Sequence, residues 1–283
     1  MTRPPGQESS IVRRYACGGR GTTLVELVVV IAITGIIAAA VAVFIRRPVE
    51  GYVDAARRAE LTDIADTALR RMTRDLRTAL PNSIRVDASG KYIEFLQTRG
   101  GGRYRSEQTG AGTGDALDFN APDDRFDVIG PMPDFTGAGT KYIVVYNLTS
   151  DPLIATANAY LGDNREAYAS DDGTAITLAA QKQFPVASPG KRFQVVDYPV
   201  TYACEAGVLR RYWGYAFSAA QVAPPVGGSN TLLAMNVDVA NCHFSYVTDN
   251  ATGRTGVIAV GLQITAGGES VRLFQQVHVS NVP

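Results

Sequence analysis

The sequence predicts an α+β protein in which one long N-terminal helix precedes a β-rich domain. Three observations support this fold class. An uncharged apolar run of 19 residues covers Leu27–Ile45. A stripe of apolar residues with helical spacing continues to Leu80, and the chain after Pro81 contains short runs rich in valine, isoleucine, tyrosine and phenylalanine. We expect the second half of the helix to pack on an antiparallel β-sheet.

The composition excludes several classes of protein. The chain has 283 residues, of which 46% are hydrophobic and 19% are charged, so it has enough apolar material for a core and is not a disordered chain. Its 27 basic residues balance 27 acidic residues, whereas a domain that wraps nucleic acid is normally strongly basic. Two histidines and three cysteines leave few ligands for a zinc site. We therefore expect no nucleic-acid partner and no cofactor.

The apolar run predicts a transmembrane helix over residues 22–47. At about 1.5 Å per residue it spans most of a hydrocarbon layer about 30 Å thick. Residues 1–20 contain four arginines against one glutamate, which places the N-terminus in the cytoplasm and the rest of the chain across the membrane, although Arg46 and Arg47 follow the run. A secretory signal cleaved near the small residues Ala38–Ala42, or a generic signal anchor, would show a similar run.

Residues 48–80 are predicted to continue the helix in amphipathic form. Asp54 and Asp66 precede arginines at i+4, the favourable order for helix support. Pro48 is expected to kink the helix and Pro81 to end it. The apolar stripe steps by three or four residues and consists of Leu61, Ile64, Ala68, Met72, Leu76 and Leu80, while the interleaved Arg70, Arg71, Asp75 and Arg77 are expected to form a solvated face.

Residues 81–283 are predicted to form the β-rich globular domain. A closing hairpin is expected around Gly267-Gly268. The glycine-rich stretch 99–114 lacks the Gly-Lys-Ser/Thr ending of a phosphate-binding loop, and we expect a mobile hairpin or surface loop there. The expected strands are Lys91–Leu96, Lys141–Leu148, Arg192–Tyr198, Val200–Cys204, Val208–Trp213, Val257–Ile264 and Val271–Val279.

The junction before the apolar run contains a short motif, Gly21-Thr22-Thr23-Leu24-Val25-Glu26. A carboxylate at the start of an uncharged helix is either an interfacial group or a functional one. The motif resembles the signal of type IV prepilins and type II secretion pseudopilins, with threonine at Thr22 where phenylalanine is usual. The resemblance implies that residues 1–21 are a leader removed by a prepilin peptidase after Gly21. It also implies that the amine of Thr22 is methylated and that Glu26 pairs with the N-terminus of a neighbouring subunit.

A narrower resemblance concerns the exported part of the chain. Five segments are similar to MshO-type minor pilins of mannose-sensitive haemagglutinin (MSHA) pili: Arg58–Asp63, Ala79–Val86, Val200–Cys204, Cys242–Tyr246 and Gln276–Pro283. This implies a pilin-like fold and a subunit of the inner membrane, with its domain in the periplasm, that later joins a pilus. It would act at pilus initiation or at the tip, with other major and minor pilins as partners. Two alternatives remain: a minor pseudopilin of the J type in type II secretion, and a membrane-anchored periplasmic binding protein.

The cysteines and acids give weaker indications. Cys17 lies in the leader, so an exported domain retains Cys204 and Cys242, either as a disulfide or as buried thiols. The acidic stretch 163–172 offers oxygen ligands of the kind that calcium prefers but lacks EF-hand spacing, and an ordinary solvated loop fits it as well. We find no catalytic constellation and do not expect an enzyme.

Overall fold

A computed structural model describes residues 21–248 and 254–283, apart from the side chain of Arg47. The leader before Gly21, with Cys17, lies outside the described residues. The elements are α1 Leu24–Arg77, β1 Arg85–Val86, β2 Tyr92–Tyr104, β3 Asp123–Ile129, β4 Tyr142–Val145, β5 Arg165–Asp171, β6 Ala175–Lys182, β7 Arg192–Glu205, β8 Val208–Trp213, β9 Ser229–Ala234, the 3-10 helix η1 Val239–Asn241, β10 His243–Thr248, β11 Thr255–Ala266 and β12 Glu269–Ser280.

One long apolar N-terminal helix and antiparallel sheets confirm the α+β class. The chain divides into two compact units, Met1–Asp54 and Ala55–Pro283. In the described part of the first unit, α1 begins at Leu24 and the large apolar side chains of 27–45 are exposed to solvent. By length and composition, α1 is able to cross a membrane. A helix that is apolar on all sides and exposed needs lipid or other helices around it.

In the second unit, α1 buries the stripe that the sequence predicted. Leu61, Ala68, Met72 and Leu76 are each at most 3% exposed, and Ala65 and Leu69 widen the stripe. Their core also contains residues of β2, β7 and β8, such as Phe95, Tyr202 and Leu209, and residues of β11 and β12, such as Ile258 and Val277. The helix is therefore covered by strands from both sheets, and its burial depends on both.

The helix ends at Arg77, three residues before the predicted end. The carbonyl of Thr78 accepts hydrogen bonds from the backbone N–H (2.9 Å) and the hydroxyl (2.5 Å) of Thr98 in β2. Two residues on, the N–H of Leu80 donates to the carbonyl of Leu96 over 2.7 Å. Pairing with β2 thus draws the chain out of the helix before Pro81 would force it to end.

The strands form two antiparallel sheets. The nine-stranded sheet has the order β1-β2-β3-β6-β5-β4-β7-β8-β9, and β2 also pairs with β7. This additional pairing closes β2, β3, β6, β5, β4 and β7 into a circuit of six strands. Apolar residues of these strands, among them Tyr104, Phe126 and Phe193, form a second core. The strands β10, β11 and β12 form a separate three-stranded sheet.

The observed strands differ in extent from several of the predicted ones. Arg192–Tyr198 and Val200–Cys204 are one strand, β7, of 14 residues, in which Pro199 lies opposite Leu96. Residues 99–114 were expected to form a mobile hairpin or surface loop, and residues 99–104 of this stretch belong to β2. A Cβ atom on Gly101 would lie 2.6 Å from the carbonyl oxygen of Phe193, so glycine here permits close approach of two strands.

We expect Leu76→Ala to lower the free energy of unfolding by about 2–5 kcal/mol, because Leu76 is fully buried and truncation leaves a cavity. Urea unfolding of the detergent-solubilised full chain, followed by the fluorescence of the single tryptophan, measures it. The matched control is Leu232→Ala, since Leu232 is 43% exposed and should cost less than about 1 kcal/mol. Equal losses in the two variants would contradict the docking of α1.

Candidate functional site

The segment singled out by the sequence lies at the beginning of α1. Gly21, Thr22 and Thr23 are exposed and precede the helix. Thr23 is the N-cap: its hydroxyl accepts from the backbone N–H of Glu26 over 3.2 Å, and its carbonyl accepts from the N–H of Leu27 over 3.1 Å. The spacing of Thr23 and Glu26 is that of a capping box. The bond between Gly21 and Thr22 is therefore outside regular secondary structure, where a protease can bind an extended chain.

Glu26 carries the first charge of α1 and lies within an apolar surface. Its neighbours Leu24, Val25 and Leu27 are 79%, 70% and 56% exposed. Within the described part of the chain, the carboxylate of Glu26 has neither a hydrogen bond nor an ion pair. The group is thus available to a cation from outside the described chain.

The described chain contains a disulfide between Cys204 at the end of β7 and Cys242 next to β10, with Cα atoms 6.3 Å apart. Both residues are buried. The bond joins the nine-stranded sheet to the three-stranded sheet. In the chain-entropy account, closing a loop over a sequence separation of 38 residues contributes about 4 kcal/mol.

Beside the disulfide, the ammonium of Lys91 donates to three carbonyl oxygens, of Val239 (2.5 Å), Ala240 (3.2 Å) and Cys242 (2.5 Å). The 3-10 helix η1 also begins here, with Asp238 as its N-cap. These polar contacts fix the backbone at Cys242 and in the residues just before it. The sequence offered no signal for them, because the partners are 148 to 151 residues from Lys91.

The carboxylates of the acidic stretch 163–172 bind the protein's own groups, whereas the buried side-chain amide of Asn164 has no hydrogen-bond partner among the described residues. The carboxylate of Asp163 accepts from the backbone N–H groups of Ala157 and Asn158. Asp172 accepts from Thr174, Ala175 and Arg125, and the hydrogen bonds, led by that from Thr174, hold the pKa of Asp172 below its usual value. Across residues 21–248 and 254–283, no group of three or more histidine, cysteine or acidic side chains is placed to hold a metal ion.

A deeply buried ion pair joins Arg85 of β1 to Glu94 of β2. The guanidinium lies 2.7 Å from one carboxylate oxygen, and the side chains are 10% and 3% exposed. Arg85 also donates to the carbonyls of Ser218 and Ala219 and lies 3.7 Å from the ring centre of Tyr160. Through these hydrogen bonds, Arg85 holds the segment after β8 against the sheet.

Glu94 is an acidic residue buried in the protein, at 2% exposure. Burial raises the pKa of Glu94, while the charge and hydrogen bond of Arg85 and the hydrogen bond from Tyr215 oppose the rise. A raised pKa suits a general acid. However, one oxygen is taken by Arg85 and the other by Tyr215, and the residue is 2% exposed. A substrate could not reach the group, so we assign it to stability.

A second cluster, which the sequence did not reveal, fastens α1. Asp75 was expected on a solvated face, but its carboxylate accepts from Arg211 over 2.8 Å and from the hydroxyl of Tyr202 over 2.7 Å. Arg211 also donates to Gln97 over 2.9 Å. Burial and the nearby charge of Asp75 raise the pKa of Tyr202 well above its usual value. Residues of α1, β7 and β8 therefore meet at the carboxylate of Asp75, and β2 is linked to them through Arg211.

Comparison with known proteins adds no relative: no family model matches the chain, and neither a curated protein nor a solved structure matches it. The observations that bear on function are therefore the segment at the beginning of α1 and the exposed apolar surface of this helix.

We expect Arg85→Met to destabilise the protein by about 3 kcal/mol at pH 7.5, because it leaves Glu94 buried without its cation. Loss of the cation raises the folded-state pKa of Glu94 further above its value in the unfolded chain. The folded variant then binds a proton at a higher pH than the unfolded chain does, so the loss should shrink as the pH falls to 5. Urea unfolding at the two pH values measures this.

Arg210→Met is the control for the pH dependence, since Arg210 donates to the neutral Asn230 on the exposed side of β8. Its effect should stay within about 1 kcal/mol and should not change between the two pH values. A loss in Arg85→Met that is the same at pH 5 and pH 7.5 would mean that Glu94 is not the group left without a partner.

Proposed function

We propose that this protein is a minor pilin of a type IV pilus of the MSHA kind, processed by a prepilin peptidase and acting in pilus initiation or at the tip. The observation that carries the proposal is the motif Gly21–Glu26 at the exposed beginning of a helix whose apolar surface extends to Ile45. The geometry is suited to cleavage after Gly21 and to pairing of Glu26 with a neighbouring subunit. The chain at Gly21 is open to a protease, and Glu26 has no partner of its own among the described residues.

The exposed apolar surface explains why such a helix could leave the membrane for a fibre. In lipid, the side chains of Leu27–Ile45 contact hydrocarbon, and in a bundle of similar helices they would contact other apolar side chains. Transfer between these two environments gains packing rather than hydrophobic free energy, so small residues at the contact matter. Gly35 and Ala38–Ala40 supply such positions, and no atom lies within 4 Å of a Cβ added at Gly35.

Glu26 would set the register of this assembly. Removal of residues 1–21 creates a new amine at Thr22, and a neighbour's amine could pair with Glu26 in a medium of low dielectric constant. Such a pair is strong and demands precise geometry, and an unpaired charge there is costly. The pair therefore favours one axial position of each subunit against the next.

We expect the protein from its native membrane to begin at an N-methylated Thr22. Intact mass and N-terminal sequencing measure this. Gly21→Asp should leave residues 1–21 attached, since the carboxylate obstructs the residue before the cleaved bond, whereas Gly35→Ala should be processed normally.

A wild-type chain that retains residues 1–21 in cells with active prepilin peptidase would contradict the proposal. The protein would then be a membrane-anchored periplasmic protein, and Glu26 an interfacial carboxylate. If processing occurs, co-purification of the mature chain with extracellular pili is the expected result. Its retention with secretion components instead would favour the type II secretion pseudopilin.

We expect Glu26→Gln to leave membrane insertion and processing unchanged but to lower incorporation into pili at least about tenfold, because the amide cannot neutralise the neighbour's amine. Immunoblotting of sheared pili and of membranes measures the ratio when the variant is the only copy. Glu60→Gln is the matched control, since Glu60 is another exposed acid of α1. Equal incorporation of the Glu26 and Glu60 variants would remove Glu26 from the mechanism.

A further inference from the structure

A cleft lies at one end of the six-stranded circuit. It has a volume of about 740 Å³ and is open to solvent. Three arginines line it, Arg103 of β2, Arg192 of β7 and Arg254 next to β11. None of the described side chains that line it is acidic, although the terminal carboxylate of Pro283 also belongs to the lining. Positive charge in the cleft is therefore concentrated at the pair Arg103 and Arg192, in a chain whose overall charge is balanced.

Arg103 and Arg192 lie directly opposite each other on β2 and β7. Cross-strand partners share one face of the sheet, with Cα atoms about 4.5–5.5 Å apart. Their successors Tyr104 and Phe193 point into the core, so the two arginines point outward. Like charges in this position repel each other and destabilise the sheet. Neither guanidinium has a hydrogen bond or an ion pair within residues 21–248 and 254–283.

The rest of the lining is fixed by a network of asparagines. Asn82 donates to the carbonyls of Asn147 (3.0 Å) and Asn281 (3.1 Å). Tyr146, beside Asn147, has a φ of 53°, a left-handed conformation that a bulky residue rarely adopts. Asn281 is 4% exposed, and its side-chain N–H₂ group has no acceptor among the described residues. A strained tyrosine and an unused donor lie together at the edge of this cleft.

The remaining surface of the cleft is apolar. Leu148 is 43% exposed and Val282 is 56% exposed, and Pro189 completes this part of the lining. A second depression of about 410 Å³ adjoins the arginine pair and is lined by the backbone of Gly100–Gly102. A ligand can therefore extend past the arginines in two directions along an open surface that is both polar and apolar.

We propose that this cleft binds an acidic polysaccharide, with the carboxylate of one sugar unit held by Arg103 and Arg192. Two arginines at paired positions on one face of the sheet are able to bind a single carboxylate together, and guanidinium groups suit bidentate binding of a carboxylate. The volume exceeds what a small anion needs, and the apolar lining offers contacts for the faces of sugar rings. Tyr146 and Asn281 supply further polar contacts. This inference does not rest on the proposed role in a pilus.

The test uses the full chain in detergent at low salt, with trigalacturonate as the acidic probe, maltotriose as the uncharged probe and sodium sulfate as the small anion. Calorimetric titration should show binding of trigalacturonate and no binding of maltotriose at the same concentrations. Sulfate should bind at least tenfold more weakly than trigalacturonate. Binding of sulfate with equal affinity would mean an anion site without sugar contacts and would overturn the proposal, as would the absence of trigalacturonate binding.

Arg103→Gln and Arg192→Gln should each weaken binding of trigalacturonate at least about tenfold, because each removes charged hydrogen bonds to the carboxylate. Neither should lower the midpoint of thermal unfolding, since each removes a repulsion. Arg272→Gln, an exposed arginine of β12 away from the cleft, is the matched control of equal charge and should bind as the wild type does. Variants that lose stability but keep binding would show that the arginines are structural and would contradict the proposal.

Discussion

The fold of the described domain depends on burial of one helix face by strands from two sheets. The apolar stripe of α1 from Leu61 to Leu76 lies in a core that also contains residues of β2, β7, β8, β11 and β12. Neither sheet alone supplies all of these contacts. The stripe is covered by strands of both sheets, and the helix in turn covers the faces of β2, β7, β8, β11 and β12 that meet it. This mutual dependence makes helix and sheets one cooperative structure.

Two polar clusters and one disulfide hold this arrangement in one geometry. Asp75 binds Arg211 and Tyr202 and so fixes the end of α1 over the strands. The disulfide Cys204–Cys242 joins the two sheets covalently. Arg85 and Glu94 fasten the segment after β8. Apolar contacts are not directional, whereas these bonds are, so the apolar core supplies most of the stability and the polar contacts select the arrangement.

Among the charged groups without a partner in the described chain, Glu26 and one pair of arginines lie where charge is costly, and we assign functions to these. Charged side chains near the core have partners, such as Lys91 on three carbonyl oxygens and Arg211 on Asp75. Glu26 at the start of α1 and the cross-strand pair Arg103 and Arg192 do not. Such a charged group raises the free energy of the folded protein and has no partner within the described chain. A binding partner outside the described chain explains why it is there.

Periodicity and composition by themselves determined the class of the fold. The uncharged run Leu27–Ile45 and the stripe to Leu76 fixed the helix, because helix faces are set by local spacing. Short runs rich in apolar and aromatic residues, next to glycine turns, located β8 and the closing hairpin, and the even pair of cysteines indicated the disulfide. The motif at Gly21–Glu26 is also purely local, and so sequence alone could single it out.

Only the tertiary structure decided which distant residues meet. Arg103 and Arg192 are far apart in the chain, and their juxtaposition depends on the register between β2 and β7, which no local pattern specifies. The same register turned the glycines at 100–102 from an expected loop into a strand, since their missing side chains allow close approach to Phe193. Asp75 was likewise expected on a solvated face, but in the folded protein it forms an ion pair with Arg211 of β8. Local spacing sets secondary structure, but strand pairing sets the sites, because pairing is a long-range property of the chain.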